Sequence, residues 1–476
     1  MHAATTTTAA EAVLARKRSW ALIVVIFVAL ALRLVALWAA RDATPVLDEQ
    51  LYLMRAEALL DGRGYLGSYQ SWVRHHETHR IAELPQYPGA YQPPMYAGFI
   101  AFVLAITGRS VLAVKLVQVL LSTATVGIVY AIGRSWFDHR RALVAAWICA
   151  LYPNLIAFSH YLWSETLFIF LLLGVVWLLT RRTLPGWGAC VAAGLLLGIA
   201  ALTRAVILYF TPVLLVWMVV VHRRAWATAA VRAISVAAVM AAVIAPWTWR
   251  NYRVHGGFVL IDTSGAFNVW RGNTPFAFSL RRQGAHYDWP FESIPVNPVM
   301  ESNAQTLCFT AMSALGTPHP TDLEIVAYAK ASTIACIRAY PRVFLERVVL
   351  KMIDLWNPTS FLVRHFKFGA YGPVAPIWAT VLSWAAIVSY VLVMVAAVVG
   401  WLRWWRDPRA WLVVLFVGYT CAVHAVAFGL TRFRLPLMPL FILLAANGVV
   451  RRQRIARTAT APAPAAAGTG SEPRPA

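Results

Sequence analysis

WALIVVIFVALALRLVALWAA, residues 20–40, carries a single charge, Arg33. A helix needs about 20 mostly apolar residues to cross a bilayer, so this stretch can span one. Nine further segments approach the same standard: 110–132, 142–158, 161–180, 187–203, 205–222, 229–248, 376–402, 410–428 and 434–450. The whole chain agrees with them. Its 476 residues are 60% hydrophobic and only 13% charged, with a mean hydropathy of +0.62. Soluble domains carry about 25% charged residues, so a water-soluble fold is excluded. Aromatic content and unexceptional Gly and Pro exclude a disordered or collagen-like chain. The expected fold class is an all-α polytopic membrane protein of about ten transmembrane helices.

The first span follows Arg16-Lys17-Arg18, as a signal peptide's apolar region would. Its apolar run is too long for that role, and bulky Trp38 precedes Ala39-Ala40 where cleavage favours small residues. It reads as a retained anchor. Residues 1–19 and the Ala/Pro-rich basic tail 451–476 read as disordered and cytoplasmic, flanking one transmembrane domain over 20–450.

The net charge of +22 admits nucleic acid as a partner until it is sorted by side. With the N-terminus inside, the inner segments carry a net +15, the outer ones +4, and Arg33, Lys115 and Arg204 within the spans supply +3. Most of the excess is therefore a positive-inside signature, and no nucleic-acid partner is expected. The two long connections, 41–109 and 249–375, then both lie outside. Long connections in compact proteins are commonly functional.

TPVLDEQLYLMRAEALLDGRGYL, residues 44–66, opens the first of them. Thr44 and Pro45 suit a helix start, and Gly62 and Gly64 suit its end. Asp48, Glu49 and Tyr52 then lie close together on that helix. Acids in a first turn also simply complement the helix dipole, so their presence alone does not make a site. Further on, HHETH places His75 and His79 one turn apart with Glu83 beyond, a spacing open to a metal but equally to a solvated loop. The run after Pro94 is too short to span and suits an interfacial or re-entrant helix.

In the second connection, Pro341 opens RVFLERVVLKMIDLW. Phe344, Val348 and Met352 form one stripe and Leu345, Val349 and Ile353 another, with Arg342, Glu346 and Lys351 on the remaining face. This predicts an interfacial amphipathic helix. Cys308 and Cys336 share the same connection and leave a disulfide open.

Charge in lipid is costly, so ionisable residues at helix mouths stand out. Lys115, His160, Glu165, Arg204, Arg432 and Arg434 all fall at or near the outer face in this topology. Each alone can be a residue snorkelling to the interface. Together with Asp48 and Glu49 they suit an anionic lipid substrate. A transporter or lipid flippase is the rival class, but no repeated halves occur and the acids gather outside the lipid core.

The chain resembles GT-C glycosyltransferases of the protein O-mannosyltransferase and lipid A aminoarabinose transferase type. The resemblance rests on an ordered set: LDEQLY (47–52), YQPPMY (91–96), AVKLVQVLLS (113–122), LYPNLIAFSHYLWSETLF (151–168), LLLGIAALTRAV (195–206), APWTWRNYRVHGGF (245–258) and TRFRLPLMPL (431–440). It implies sugar transfer from a polyprenyl-phosphate donor at the outer membrane face, to a cell-envelope glycan, lipid or protein. It also implies catalytic roles for Asp48, Glu49 and Glu165, and donor-phosphate contacts for Lys115, Arg204, Arg432 and Arg434. Tyr52 and His160 are candidate lining residues. No cofactor follows from it, and a divalent metal is assigned to no residue.

The charge asymmetry makes a topological prediction. Cysteines substituted within 65–85 and 280–320 are labelled by an impermeant reagent from outside, while one at Trp405 is protected. The reverse pattern inverts the chain in the membrane.

Overall fold

The computed structural model describes residues 2–43, 45, 48–69, 87–274, 304–367, 371 and 374–450, with side chains from residue 19 onward except at 305 and 367. His75, His79 and Glu83, the expected cap Thr44 and the basic tail lie outside these residues. Among the described residues the chain is helical, with one isolated antiparallel bridge between Leu66 and Pro88.

Helix α1 (His2–Ala39) contains the first span, and α2 (Asp48–Leu60) follows it. The α2 helix stops at Gly62 and Gly64, whose φ values of +72° and +78° are left-handed and favour glycine. The short apolar helix α3 (Met95–Ile106) buries Tyr96, Ile100 and Leu104 and packs on α2. Then come α4 (Val111–Trp136), α5 (His139–Leu151), α6 (Pro153–Ala157), α7 (Glu165–Thr180), α8 (Trp187–Thr203), α9 (Ile207–Val221) and α10 (Trp226–His255). After the second connection follow α16 (Pro376–Leu402), α17 (Pro408–Val426), a 3-10 segment (Thr431–Leu437) and α18 (Met438–Val449).

All ten expected segments contain helix. Six helical stretches are long and apolar enough to cross a membrane: Ser19–Ala39, Val111–Trp136, Arg223–His255, Pro376–Leu402, Pro408–Val426 and Thr431–Val449. The remaining apolar helices are shorter, such as Glu165–Thr180 and Trp187–Thr203. The expected span at 142–158 is divided between α5 and α6. Pro153 causes this, because the residue before proline is disfavoured in helical geometry and Tyr152 is extended at φ −70°, ψ 113°.

The break leaves α5 carbonyls without helical donors, which is costly inside lipid. Arg33 supplies the donors. Its buried guanidinium reaches Ala150 O at 3.2 Å and Cys149 O at 3.5 Å, while Nε donates to Ser122 Oγ at 2.8 Å. The charge that interrupts the first apolar run thus fastens α1 to α4 and α5, and holds the broken segment that leads into α7.

The second connection builds a separate apolar cluster. Helices α11 (Ser264–Asn273), α12 (Ala304–Leu315) and α13 (Asp322–Ala339) bury Phe267, Trp270, Leu307 and Ile325 against Tyr69 and Tyr91 of the first connection. Cys308 and Cys336 are buried free thiols, not a disulfide; Cys308 Sγ instead donates to Tyr69 O at 3.6 Å. They serve as small apolar residues.

Helix α14 (Pro341–Trp356) has the expected apolar stripe of Leu345, Val349 and Ile353, each more than half exposed. Of the expected charged face, Arg342 and Glu346 are exposed but Lys351 is not. Lys351 and its neighbour Arg347 are buried at 7% and 6% exposure, because their side of the helix packs onto the protein. Helix α15 (Phe361–Lys367) completes the connection.

Packing of α16 on α18 depends on two glycines. A Cβ at Gly400 would stand 1.8 Å from Leu444 O, and one at Gly448 would stand 2.1 Å from Ala396 O. Close backbone approach of this kind is the usual means of membrane helix association. Gly400→Ala is expected to destabilise the protein by about 1–3 kcal/mol or more through overpacking. Gly98→Ala in α3, where a Cβ meets nothing within 4 Å, is the control and should be neutral or stabilising. Equal melting of the two variants in detergent would remove this role from the α16–α18 contact.

Candidate active site

Two helix starts and two helix-end loops bring four charges into one row. Asp48 and Glu49 occupy the first turn of α2, and Glu165 the first turn of α7, where the helix dipole favours acids. Arg204 is the residue immediately after α8, and Arg432 belongs to the 3-10 turn before α18. Arg432 Nη1 lies 2.8 Å from Asp48 Oδ2, and its Nε lies 3.6 Å from Glu165 Oε1. Arg204 Nη1 donates to the same Glu165 oxygen at 2.8 Å and to Ser164 Oγ at 3.1 Å. The order Asp48–Arg432–Glu165–Arg204 therefore alternates in sign.

Aromatic rings support both guanidiniums. Arg432 lies 4.8 Å from the Trp163 ring centre and 5.4 Å from that of Phe433; Arg204 is 5.9 Å from Phe433 and 5.9 Å from Phe168. Such faces attract cations and keep water from their flanks.

The two carboxylates differ in access. The Glu165 side chain is 1% exposed and faces two arginines, whereas that of Asp48 is 29% exposed. Burial alone would raise the Asp48 carboxyl, but Arg432, with Arg204 and Arg55 behind it, holds it below the ordinary carboxylate range. It is ionised at neutral pH. Glu49 turns the other way, about 100° round the helix, and its Oε1 accepts from Leu162 N at 2.7 Å. That carboxylate fastens α2 to the segment leading into α7.

Tyr52 lies beside the row, hydrogen-bonded to Ser164 and set edge-on to Tyr96 at 4.7 Å. Tyr96 Oη donates to Gln118 Oε1 at 2.6 Å, and Gln118 Nε2 to Tyr161 O at 2.7 Å. Lys115 is buried and within electrostatic reach of Glu49 and His160. His160 contacts Tyr371 Oη at 3.1 Å, and burial, then Lys115 and His365, push its ring down to about 3. It is neutral and belongs to an aromatic cluster next to the row.

Arg434 is not brought to the carboxylates. Its guanidinium donates to Leu355 O at 2.9 Å, to Thr359 O at 2.9 Å and to Asn357 O, over the Tyr390 ring at 3.9 Å. It secures the turn after α14. Two arginines that sequence reasoning passed over do approach the row. Arg364 of α15 interacts electrostatically with Arg432, Arg271 and Asp48, and stands 5.0 Å from the Phe361 ring. Arg271 of α11 stands 4.9 Å from the Phe428 ring. In sequence they are lone arginines among aromatic residues, indistinguishable from interfacial anchors. Among the described residues no group of three or more His, Cys, Asp or Glu could hold a metal ion.

The helical architecture that brings these ends together is that of a GT-C-fold membrane protein, as its structural neighbours show. Residues 91–249 match the family model of dolichyl-phosphate-mannose-protein mannosyltransferases, so the likeness read from the ordered motifs holds. The archaeal oligosaccharyltransferase AglB from Archaeoglobus fulgidus, solved with an inhibitory peptide and a dolichol-phosphate, superposes with a TM-score of 0.52. Identity is 12%, over 90% of this chain and 50% of that one. A second structure of the A. fulgidus enzyme, tethered to an acceptor peptide, gives 0.50 at 13% identity, over 90% of this chain and 49% of that one. ArnT from Cupriavidus metallidurans, bound to undecaprenyl phosphate, gives 0.40 at 15% identity, over 90% and 76%. The chain thus spans about half the length of the AglB structures. No curated protein matches the sequence.

The alternation of charge can be tested by stability. Removing one partner of a buried ion pair costs about 3–5 kcal/mol, because the other charge is left uncompensated. Glu165→Gln and Arg204→Gln are each expected to cost more than the two together. Additive thermal losses in a double-mutant cycle would mean that the two side chains act independently.

Proposed function

We propose that the chain is an integral-membrane glycosyltransferase that moves a sugar from a polyprenyl-phosphate donor to an acceptor at the outer face of the cytoplasmic membrane. The single observation that carries this reading is the row Asp48–Arg432–Glu165–Arg204. It pairs one accessible carboxylate with guanidiniums at the end of a lipid-embedded bundle. The mannosyltransferase match over residues 91–249 supports it, as does the dolichol-phosphate bound in the AglB structure.

Each group has a chemical task. A neutral acceptor hydroxyl is a weak nucleophile, so Asp48 takes its proton as the oxygen attacks the anomeric carbon. The bond from that carbon to the phosphate oxygen breaks, and its electron pair leaves with the polyprenyl phosphate. One displacement without a covalent intermediate inverts the configuration. The two carboxylates and two arginines of the row cancel, so the leaving phosphate needs further cations. Arg271 and Arg364 at its edge and Lys115 near Glu49 supply them. Positive charge placed where negative charge grows is the main source of such catalysis. The acceptor is a cell-envelope glycan, lipid or protein hydroxyl.

Arg432 has a second consequence. While it pairs with Asp48, the carboxylate is a weak base. A donor phosphate that shares Arg432 loosens the pair and raises the proton affinity of Asp48 at the moment a base is needed. A base works only when deprotonated, so activity falls as pH drops through its pKa. The acid limb of kcat, which reports the donor complex, should lie at higher pH than that of kcat/KM.

The deciding experiment is sugar transfer by purified variants in lipid. Asp48→Asn should lower turnover by roughly 10²–10⁴-fold, with donor affinity kept or tightened because Arg432 is released to the phosphate. Glu49→Gln should show a smaller defect that follows its stability. Near-normal transfer by Asp48→Asn would remove the base, and a larger loss at Glu49 would move it by one residue.

A further inference from the structure

Three backbones converge beside the row without belonging to it: the end of α11, the middle of α14 and the end of α17. A Cβ at Gly272 would stand 1.9 Å from Ala427 O, and one at Gly429 would stand 2.1 Å from Lys351 O, so the chains touch directly. The side chain at the centre of the junction is Lys351. Its Nζ donates to Asn273 Oδ1 at 2.8 Å, to Ala425 O at 2.9 Å and to Val426 O at 3.4 Å. Asn273 Nδ2 in turn donates to Val426 O at 2.6 Å and to Val269 O at 2.7 Å.

Ala425 and Val426 are the last residues of α17. The final carbonyls of a helix have no helical donor, so an amine there supplies the bonds they lack. From that point only residues 427–430 separate α17 from the 3-10 segment that carries Arg432. His424 ties the intervening turn, with Nδ1 on Phe428 O at 2.9 Å and its ring stacked on Phe433 at 4.5 Å. Phe433 is the ring beneath both Arg204 and Arg432. A shift of the α17 end therefore moves Arg432 against Asp48.

We propose that Lys351 is a positioning residue: it pins the C-terminal carbonyls of α17 and so fixes the turn that presents Arg432 to Asp48 and to the donor phosphate. The part concerning the phosphate rests on the glycosyltransferase reading; the part concerning the turn does not. The arrangement gives the amphipathic α14 a task beyond lying at the lipid surface. Its exposed stripe of Leu345, Val349 and Ile353 meets the membrane, and its opposite side holds the site's arginine loop in register with that surface.

The test uses the full chain in lipid nanodiscs, with undecaprenyl phosphate alone as the probe. Lys351→Met keeps the length of the side chain and removes its donors. Amide exchange over 425–433 should accelerate by about tenfold or more, with the far end of α8 (Trp187–Gly194) unchanged, since the bonds from Nζ to Asn273 and to two terminal carbonyls are lost. Affinity for undecaprenyl phosphate should fall by about tenfold, and that loss should vanish in an Arg432→Gln background, because Lys351 acts through Arg432. Unchanged exchange over 425–433 overturns the proposal. So does an affinity loss that persists in full without Arg432, which would mark general destabilisation. If Lys351→Met does not fold, Asn273→Ala removes one partner of the same amine, and the same two readouts decide. If the wild-type protein fails to bind undecaprenyl phosphate, the glycosyltransferase reading fails, and exchange in the two variants still settles the pinning of the turn.

Discussion

One guanidinium shared by two carboxylates, Arg432 between Asp48 and Glu165, is the constraint to which the surrounding elements answer. None of these charges can stand alone at the edge of an apolar bundle, since unpaired ions there cost several kcal/mol each. Their alternation makes each the counterion of the next. It also forces four distant stretches of chain to one point: the start of α2, the start of α7, the end of α8 and the turn before α18. The broken helix at Tyr152–Pro153, the short α3 and the glycine-packed α16–α18 pair are what allow those ends to meet.

Much of this was legible in the sequence because two signals are strong. Apolar runs of about 20 residues announce membrane helices whatever their packing. An acid beside a first turn, with basic residues at several other helix mouths, marks a place where charge is kept despite its cost. Asp48, Glu165, Arg204 and Arg432 could be named before any coordinates for that reason. The ordered motifs from LDEQLY to TRFRLPLMPL then supplied the order in which the chain visits the site.

What was not legible depends on direction. Arg432 and Arg434 look equivalent in TRFRLP, yet they diverge because their turn is a 3-10 helix of three residues per turn. Two positions then point about 120° apart, so one meets Asp48 and the other the carbonyls after α14. Glu49 and Asp48 separate for the same kind of reason, by one step of an α-helix. For α14, two apolar stripes lay side by side, and periodicity cannot say which faces lipid and which faces protein. The choice put Lys351 inside, where a surface position was expected. Cys308 and Cys336 were ambiguous because spacing carries no distance.

Both long connections bring charged side chains to the row, Asp48 from the first and Arg364 from the second. Arg271 and Arg364 come from the second connection, and so does the amine that holds the α17 end. The membrane bundle supplies a row whose charges alternate and cancel. On the glycosyltransferase reading, Arg364 and Arg271 of the connection stand at the edge of the same row, where a donor phosphate would meet them. On that reading the division reconciles folding, which requires neutrality in lipid, with recognition of an anion, which requires cations within its reach.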